Sequence, residues 1–370
     1  MEIKHWVMYE KKKVPFHISP KDIYSVYLST MTKVRRINKI ENYSNSQHKV
    51  IEKKFKHLKY KNYLQIDDVT MTGDAPKDFI KAYLHEDCKS NKQKNWKKYI
   101  AKVGRKWYPI ESITEYLCNR FGQSLGLDIA APRLRLIDGQ LRFLSKYFIK
   151  NGERLMHGAE IFSAYVNIPQ RFIDAIDDQG KSRDLITFEF INDAIEEVFP
   201  NEHQNIMDAL VKMIIFDSLI GNKDRHFYNY GVIVSLKNQN SPKFSPIYDT
   251  ARGFFWNESD SALERKYFDG TKINSQKLDK YINHSIPKIG WNEISIKNHF
   301  ELVNLILDYN PRYVNIADNL IQDSKFLDLK DVLKREFKNF FSQKRYTIIE
   351  KCLELRFSIL LEMINRKLVN

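Results

Sequence analysis

The fold of this chain is decided by residues 221–229, which read Gly221-Asn222-Lys223-Asp224-Arg225-His226-Phe227-Tyr228-Asn229. The apolar residues of the preceding segment, 206–220, recur with helical spacing, and a glycine followed by an asparagine is typical of a helix end. The pattern therefore predicts that Asp224 lies on a polar loop directly after a buried helix.

A β-hairpin is predicted immediately after this loop. Residues 231–234 are Gly-Val-Ile-Val, a turn-rich segment spans 237–243, and a second apolar run covers 244–248. Because a hairpin returns its second strand to the start of the first, Asn229 and Asp249 should lie side by side, close to Asp224. Two carboxylates and an amide oxygen at one place suit Mg²⁺, which takes oxygen ligands and usually keeps water and substrate phosphates in its shell.

The spacing of these three residues also matches a known catalytic order. An Asp-x-x-x-x-Asn segment followed, after a hairpin, by a second aspartate is how protein kinases provide a catalytic base and two metal ligands. The alternative is that Asp224 and Asn229 only cap turns, a common role for these residue types, but this leaves Asp249 unexplained.

Two segments of the chain carry a family resemblance. Gly-Asn-Lys-Asp-Arg-His-x-x-Asn-Tyr-Gly, followed by Ser-Pro-Ile-Tyr-Asp-Thr-Ala-Arg-Gly, resembles the C-terminal catalytic signature of the HipA-like serine/threonine kinases, most closely over 221–253. The resemblance implies that Asp224 accepts the proton, that Asn229 and Asp249 bind Mg²⁺, and that ATP supplies the phosphoryl group. It further implies a toxin that acts on translation components and a DNA-binding antitoxin as its partner.

A predicted strand over 98–104 supplies a candidate phosphate-binding lysine. Lys102 is the one lysine inside the apolar part of this strand, and kinases use a strand lysine as a point charge for the α- and β-phosphates. The next predicted helix, 112–122, contains Glu115. This glutamate fits a capping box with Ser112, or the kinase pairing of a helix glutamate with the strand lysine, for which Glu111 is the alternative.

Weaker candidates for the ATP site lie on either side of this strand. Gly73, in Thr-Met-Thr-Gly-Asp-Ala-Pro, permits close approach of backbone N–H groups to phosphates, although an ordinary turn explains it equally well. HipA-like proteins have a glycine-containing loop with a phosphorylatable serine in this region, and threonines would have to replace that serine here.

Residues 132–144, centred on an Asp-Gly pair, form a strong hairpin pattern that leads to Ser145 and Tyr147. This segment leads into the Asn151-Gly152 break, where we place the boundary between the lobes, because backbone groups and an apolar wall typically hold a nucleotide's adenine at such a hinge. HipA-like relatives often have a glutamate at the position of Ser145. His226 is interpreted as positioning the catalytic loop or a phosphate, since no second His or Cys lies at zinc spacing from it.

The length of 370 residues and the 43% hydrophobic content predict a folded protein large enough for two lobes. We expect an α+β, protein-kinase-like fold with a strand-rich N-terminal lobe and a mostly helical C-terminal lobe. The expected divisions are a basic N-terminal segment over 1–66, an ATP-binding lobe over 67–150 and a helical catalytic lobe over 151–370.

Three widely spaced cysteines form neither a disulfide framework nor a zinc pattern, and no apolar run reaches the roughly 18 residues that span a bilayer. With no signal-peptide pattern at its start, the chain is expected to be soluble and cytoplasmic, with no membrane partner.

The net charge of +14 is concentrated in two stretches. Residues 1–66 carry a net charge of +10 and residues 91–106 a net charge of +7. This asymmetry favours a protein substrate that is acidic or associated with nucleic acid, although a generally lysine-rich surface explains it equally well. Phe55, Tyr60 and Tyr63 interleave with lysines, a pattern that can serve base stacking but more often marks a solvated helix face.

Two other classes of function stay open at this point. One is a nucleic-acid-binding regulator or antitoxin-partner module with a degenerate kinase fold, and the other is a kinase for a small molecule or lipid. The complete set of Asp224, Asn229 and Asp249 favours an active protein kinase, because a binding module does not need all three.

Overall fold

The computed structural model describes residues 46, 48, 50–66, 76–104, 106–237 and 240–369, and these belong to one compact unit. Gly73 and most of the basic segment 1–66 lie outside the described residues, so the predictions made for them stay predictions.

Five antiparallel strands form the sheet of the N-terminal lobe, in the spatial order β1-β2-β3-β5-β4. The strands are β1 (Tyr63–Gln65), β2 (Lys77–Ala82), β3 (Lys97–Lys102), β4 (Pro132–Ile137) and β5 (Gln140–Lys146). The predicted Asp-Gly hairpin is confirmed. Asp138 and Gly139 have φ angles of 50° and 73°, and two positive φ values are what a two-residue turn of the mirror-image type I class requires.

Helix α1 (Ile110–Ser124) packs on this sheet and begins earlier than predicted. The proposed capping box at Ser112 is wrong, because the Glu111 amide already donates to the Trp107 carbonyl and places Ser112 inside the first turn. The Ser112 hydroxyl instead accepts a hydrogen bond from the Gly104 amide at 3.3 Å. Glu115 is therefore free of a capping role.

A second, three-stranded antiparallel sheet supports the catalytic loop, in the order β6-β7-β8. Its strands are β6 (Glu153–His157), β7 (Gly231–Ser235) and β8 (Lys243–Phe244). The predicted hairpin is confirmed as the β7–β8 pair, although β8 has only two residues, and β6 was not predicted. A side chain on Gly231 would bring a Cβ within 2.3 Å of the Met156 carbonyl oxygen, so glycine allows the two strands to approach.

Helices dominate the chain after β6, as the periodicity predicts. They are α2 (Gly158–Val166), α3 (Gln170–Asp178), α4 (Ser182–Leu185), α5 (Phe188–Val198), α6 (His203–Ile220), α7 (Asp260–Tyr267), α8 (Ser275–Asn283), α9 (His299–Tyr309), α10 (Pro311–Leu320), α11 (Asp323–Val332) and α12 (Gln343–Val369). A π-helical turn, Leu333–Phe337, continues α11, and a short β9–β10 ribbon, Phe268–Asp269 with Lys272–Ile273, follows α7.

One large apolar core joins the two lobes. It contains Leu117 and Phe121 of α1 together with Ile214 and Phe216 of α6, all of which are buried. A smaller cluster, which includes Ile80 and Tyr99, covers the other face of the five-stranded sheet. The α+β architecture, strand-rich at the N-terminal side and mostly helical at the C-terminal side, is confirmed.

The described part of the basic segment packs against the sheet edge. The Leu58 amide donates to the Leu136 carbonyl at 2.9 Å, and Phe55 stacks on Phe340 with ring centroids 4.8 Å apart. Base stacking by Phe55 and Tyr63 is therefore ruled out, because both rings are buried, whereas Tyr60 is 45% exposed. Among the helices of the described ranges, none is both long and apolar enough to cross a membrane.

Candidate active site

The catalytic loop begins where α6 ends, at the glycine that the sequence predicts. Gly221 adopts a left-handed conformation, with φ of 69°, and its amide donates to the Asp217 carbonyl. The buried Asp217 carboxylate then accepts hydrogen bonds from Asn222 Nδ2 at 2.9 Å and from Arg225 Nε at 2.7 Å and Nη2 at 2.9 Å. One carboxylate on the last turn of α6 therefore fixes both the start and the middle of the loop.

Arg225 connects this loop to the segment that carries Asp249. Its Nη1 atom donates to the Asn229 carbonyl at 2.9 Å and to the Tyr248 carbonyl at 2.6 Å. Burial alone would lower the pKa of the Arg225 guanidinium. The negative charge and hydrogen bonds of Asp217 have the larger effect, so the pKa is raised. One buried cation thus holds together the two backbone segments that the hairpin pattern predicts to be neighbours.

The backbone around Asp224 is held by two hydrogen bonds to its carbonyl oxygen. Asn229 Nδ2 donates to that oxygen at 2.6 Å and the His226 amide donates to it at 2.9 Å. The Asp224 carboxylate itself is 40% exposed, with Arg252 Nε 3.6 Å away. Burial raises the pKa of Asp224, which brings this carboxylate closer to the range of a general base.

Lys102 lies between two carboxylates at the junction of the lobes. Its ammonium donates to Glu115 Oε1 at 2.8 Å and also to Asp249 Oδ1. Burial alone would lower the pKa of Lys102, but Asp249 and Glu115 outweigh burial and raise it. The structure thus pairs Lys102 with Glu115 and not with Glu111, which faces Arg252 at 3.9 Å.

Asp249 and Asn229 fit the donor set of a Mg²⁺ site. Burial would raise the pKa of Asp249, but Lys102 lowers it to about 2, so the carboxylate is ionised, as a metal ligand must be. The side chain is 37% exposed, and Asn229 uses its amide nitrogen on Asp224, which leaves its amide oxygen available. The described residues contain no group of three or more His, Cys, Asp or Glu side chains that could hold a metal ion. Mg²⁺ often has only one or two protein ligands and completes its shell with water and substrate phosphates.

The family model described as the HipA-like C-terminal domain matches residues 69–304 of this chain. The chain belongs to this family. A search of curated protein sequences found no match.

Two solved structures are similar to the HipA-like chain. The proinflammatory kinase CtkA of Helicobacter pylori has a TM-score of 0.61 at 15% identity, and the match covers 78% of this chain and 94% of CtkA. HipA of Shewanella oneidensis MR-1, in a toxin–antitoxin complex with HipB and operator DNA, has a TM-score of 0.38 at 13% identity over 80% of this chain and 65% of that chain. The likeness to CtkA shows a kinase-like fold, and together with the family it supports a HipA-type kinase in general.

The other predicted ATP-site residues that the structure describes lie on or after β5 and on the catalytic loop. Ser145 is buried in β5, opposite Ile100 of β3. Tyr147 follows β5, donates its amide to the Lys98 carbonyl at 2.9 Å, and packs its ring edge-on against Phe79 at 4.9 Å. His226 Nδ1 accepts a hydrogen bond from the Tyr228 amide at 3.3 Å, which orders the catalytic loop.

Sequence analysis missed a buried histidine below the catalytic loop. His299, on α9, places Nε2 2.8 Å from the Asn222 carbonyl and Nδ1 3.0 Å from the Ser285 hydroxyl. Nδ1 also lies 2.6 Å from the Ser285 carbonyl oxygen. Burial lowers the pKa of His299 to about 4, so the ring is neutral near pH 7 and donates from only one of its two nitrogens. His299 lies 77 residues from Asn222 in the chain, and no sequence pattern connects the two.

Sequence analysis also missed Lys77 and Arg252. Lys77 is directly opposite Lys102 in the β2–β3 register, so the two side chains share one face of the sheet. Arg252 lies three residues after Asp249 and between Asp224 and Glu111. Two signals in the sequence could have identified them. Lys77 lies just before an apolar stretch that can pair with β3, and Arg252 lies only three residues after Asp249.

A cavity of about 280 Å³ opens beside Asp224 in the HipA-like chain. Its wall includes Lys223 and Arg252 and the rings of Trp256 and Tyr281. The cavity therefore lies next to the carboxylate that the family resemblance assigns to proton transfer.

Proposed function

We propose that this HipA-like chain is an ATP- and Mg²⁺-dependent serine/threonine protein kinase that acts in the cytoplasm. The observation that carries the proposal is that Arg225 joins the backbone of Asn229 to the segment before Asp249, that Asn229 binds the Asp224 carbonyl, and that the Lys102–Glu115 pair lies at Asp249. A structural role alone does not explain why two partly exposed carboxylates, Asp224 and Asp249, and the Asn229 amide oxygen lie on segments that are held together in this way.

Each of these residues has a defined role in the proposed reaction. Glu115 holds the Lys102 ammonium, which binds the ATP phosphates, and Asn229 and Asp249 hold Mg²⁺. Mg²⁺ held by Asn229 and Asp249 would supply positive charge against the charge that develops on the phosphates. Asp224 orients the acceptor hydroxyl and accepts its proton while the hydroxyl oxygen bonds to the γ-phosphorus. The bond between the γ-phosphorus and the β–γ bridging oxygen breaks, and ADP leaves.

The test is incubation of the purified chain with γ-labelled ATP, Mg²⁺ and a cell lysate, followed by identification of the labelled species. Asp224→Asn and Asp249→Asn should each reduce labelling on the order of 10²-fold or more. Asp328→Asn, on the exposed face of α11, is the matched control and should label normally. Undiminished labelling by folded Asp224→Asn protein would remove this residue from the mechanism, and a labelled lipid or metabolite would replace the protein substrate.

A DNA-binding antitoxin is the partner that the HipA resemblance implies. In the Shewanella complex HipA assembles with HipB and operator DNA, and for this chain the antitoxin is a proposal that rests on the family alone. Affinity capture from the cells of origin, followed by mass spectrometry, tests it. A stoichiometric DNA-binding protein is the supporting result, and capture of the chain by itself contradicts the proposal.

A further inference from the structure

The cavity beside Asp224 is lined by two cationic side chains, Arg252 and Lys223, and neither has a carboxylate of the described residues within hydrogen-bond distance. Arg252 lies 3.6 Å from Asp224 and 3.9 Å from Glu111, and both distances are longer than a hydrogen bond. In the described part of the chain, no carboxylate lies within 4.0 Å of the Lys223 ammonium. Both side chains therefore retain donor groups for a ligand.

Aromatic rings hold these two cations in place. The Arg252 guanidinium lies 3.9 Å from the centroid of the Trp256 ring, and the Lys223 ammonium lies 5.4 Å from that of Tyr281. Tyr281 is fixed in turn, because its ring stacks on Phe255 at 4.3 Å and its hydroxyl donates to the Phe254 carbonyl. Cation–π contacts of this kind position a charge without neutralising it.

We propose that this cavity is the acceptor subsite and that it selects a peptide with an acidic side chain next to the phosphorylated hydroxyl. The proposal rests on the proposed kinase function and adds a substrate preference to it. Lys223 and Arg252 bind the acidic side chain through charge-assisted hydrogen bonds. As Arg252 turns to the incoming carboxylate, it releases Asp224, which then faces the acceptor hydroxyl.

The volume and the lining of the cavity favour a peptide over a nucleic acid. A nucleobase that stacked here would compete with Arg252 and Lys223 for the faces of Trp256 and Tyr281. A volume of about 280 Å³ is below the range of about 300–1,000 Å³ typical of small-molecule pockets and suits one or two side chains.

The experiment uses the full chain and heptapeptides with a central serine in an alanine background. A single glutamate is moved through the flanking positions, and each peptide is compared with its glutamine counterpart. We expect glutamate to raise kcat/KM about tenfold over glutamine at one or two positions, because a charged acceptor strengthens these hydrogen bonds. Where a peptide is not phosphorylated, its inhibition of lysate labelling gives the same comparison.

Substitutions of the cavity residues test whether the preference for glutamate over glutamine arises in this cavity. Lys223→Gln and Arg252→Gln should bring the glutamate-to-glutamine ratio towards one while calorimetry shows unchanged ATP binding. Arg252→Glu should reverse the preference in favour of a lysine-containing peptide. Lys272→Gln, at an exposed position of β10, is the matched control and should keep the wild-type ratio.

Two results overturn the inference. One is a glutamate-to-glutamine ratio that is the same in the wild type and in both cavity variants. The other is competition by decauridylate that Arg252→Gln abolishes, which assigns the cavity to nucleic acid. If lysate labelling still depends on Asp224, only the subsite is wrong. If the wild type labels nothing in the lysate or among the peptides, the kinase function fails as well.

Discussion

At the scale of single residues, Arg225 determines the geometry of the catalytic loop. It pairs with Asp217 through two nitrogens. It also donates to the carbonyl of Asn229, a proposed metal ligand, and to the carbonyl of Tyr248, which precedes the proposed ligand Asp249. The guanidinium of Arg225 is planar and donates in several directions at once, whereas a lysine ammonium is a single point charge. A lysine therefore cannot replace Arg225 here.

We expect Arg225→Ala to lower the free energy of unfolding by about 3–5 kcal/mol, because it leaves Asp217 buried and unpaired. Denaturant unfolding measures this change. Arg312→Ala is the control, because its guanidinium is exposed and solvent weakens its pair with Asp208, so the loss of stability should be much smaller. An equal effect of both substitutions would contradict the role of Arg225.

Lys102 is expected to bind ATP phosphates. Its removal leaves Glu115 buried without its partner, so the informative variant is Lys102→Ala combined with Glu115→Gln. Calorimetry in Mg²⁺ should show ATP affinity reduced on the order of tenfold or more, because the charge–phosphate hydrogen bonds are lost. Lys98→Ala, exposed on the same strand, should bind ATP normally. Unchanged affinity of the double variant would move the role to Lys98 or Lys106.

His299 makes stability depend on pH. Its pKa in the folded protein is about 4, below the ordinary value of 6.5, so the unfolded chain binds the proton more readily. Its contribution to stability is complete above pH 6.5 and is lost as the pH falls towards 4, by about 3 kcal/mol in total.

The measurement is the free energy of unfolding of the wild type and of His299→Gln between pH 7 and pH 4. The stability advantage of the wild type should shrink over this interval. His284→Gln, at an exposed position after α8, should follow the wild-type curve. A constant difference between the wild type and His299→Gln would contradict a neutral buried His299.

At the scale of secondary-structure elements, the β6–β7 pair supports the catalytic loop from behind. Gly231 pairs with His157 in this sheet, two residues after Asn229. The close approach of β6 to Gly231 therefore fixes the position of the loop end that carries a proposed metal ligand.

Gly231→Ala tests this contact. A Cβ atom 2.3 Å from the Met156 carbonyl must push β6 away, and we expect a loss of about 1–3 kcal/mol in the free energy of unfolding. Gly270→Ala is the comparison: nothing lies within 4 Å of its added Cβ, and its φ of 64° adds a left-handed strain that Gly231 does not have, so a larger loss at Gly231 is due to the contact with Met156. In addition, Gly231→Ala should reduce lysate labelling, and Gly270→Ala should not.

At the scale of the whole molecule, the structure shows where several lysines of the two basic stretches lie. Lys56 pairs with Glu86 at 2.6 Å and Lys54 donates to the Asn339 carbonyl, so these two lysines also have partners within the folded chain. Lys92, Lys94 and Lys97 are exposed around the start of β3 and are better sites for a test.

We expect Lys92→Glu, Lys94→Glu and Lys97→Glu together to weaken capture of an acidic macromolecule while ATP binding stays the same. Substrate labelling should also fall with salt between about 50 and 200 mM, steeply for a nucleic-acid-bound substrate and less so for a protein. The measurement is the initial rate of lysate labelling by the wild type and the triple variant. A rate insensitive to both salt and the substitutions would remove the charge asymmetry from substrate binding.

The sequence by itself determined the order of the elements and the identity of the central residues. Apolar periodicity predicted α6 and a mostly helical C-terminal lobe, the Asp-Gly pair predicted the β4–β5 turn, and Gly221 predicted the helix end. These features depend on local backbone preferences and on one buried face, and both can be read from neighbouring residues.

Only the tertiary structure decided which polar residues meet. It paired Lys102 with Glu115 where Glu111 was also open, and it placed His299 under Asn222 and Arg252 beside Asp224. The physical reason is that a buried polar group must find a partner, and that partner can lie anywhere in the chain that the fold brings within reach. Spacing along the sequence carries no information about such distant pairs.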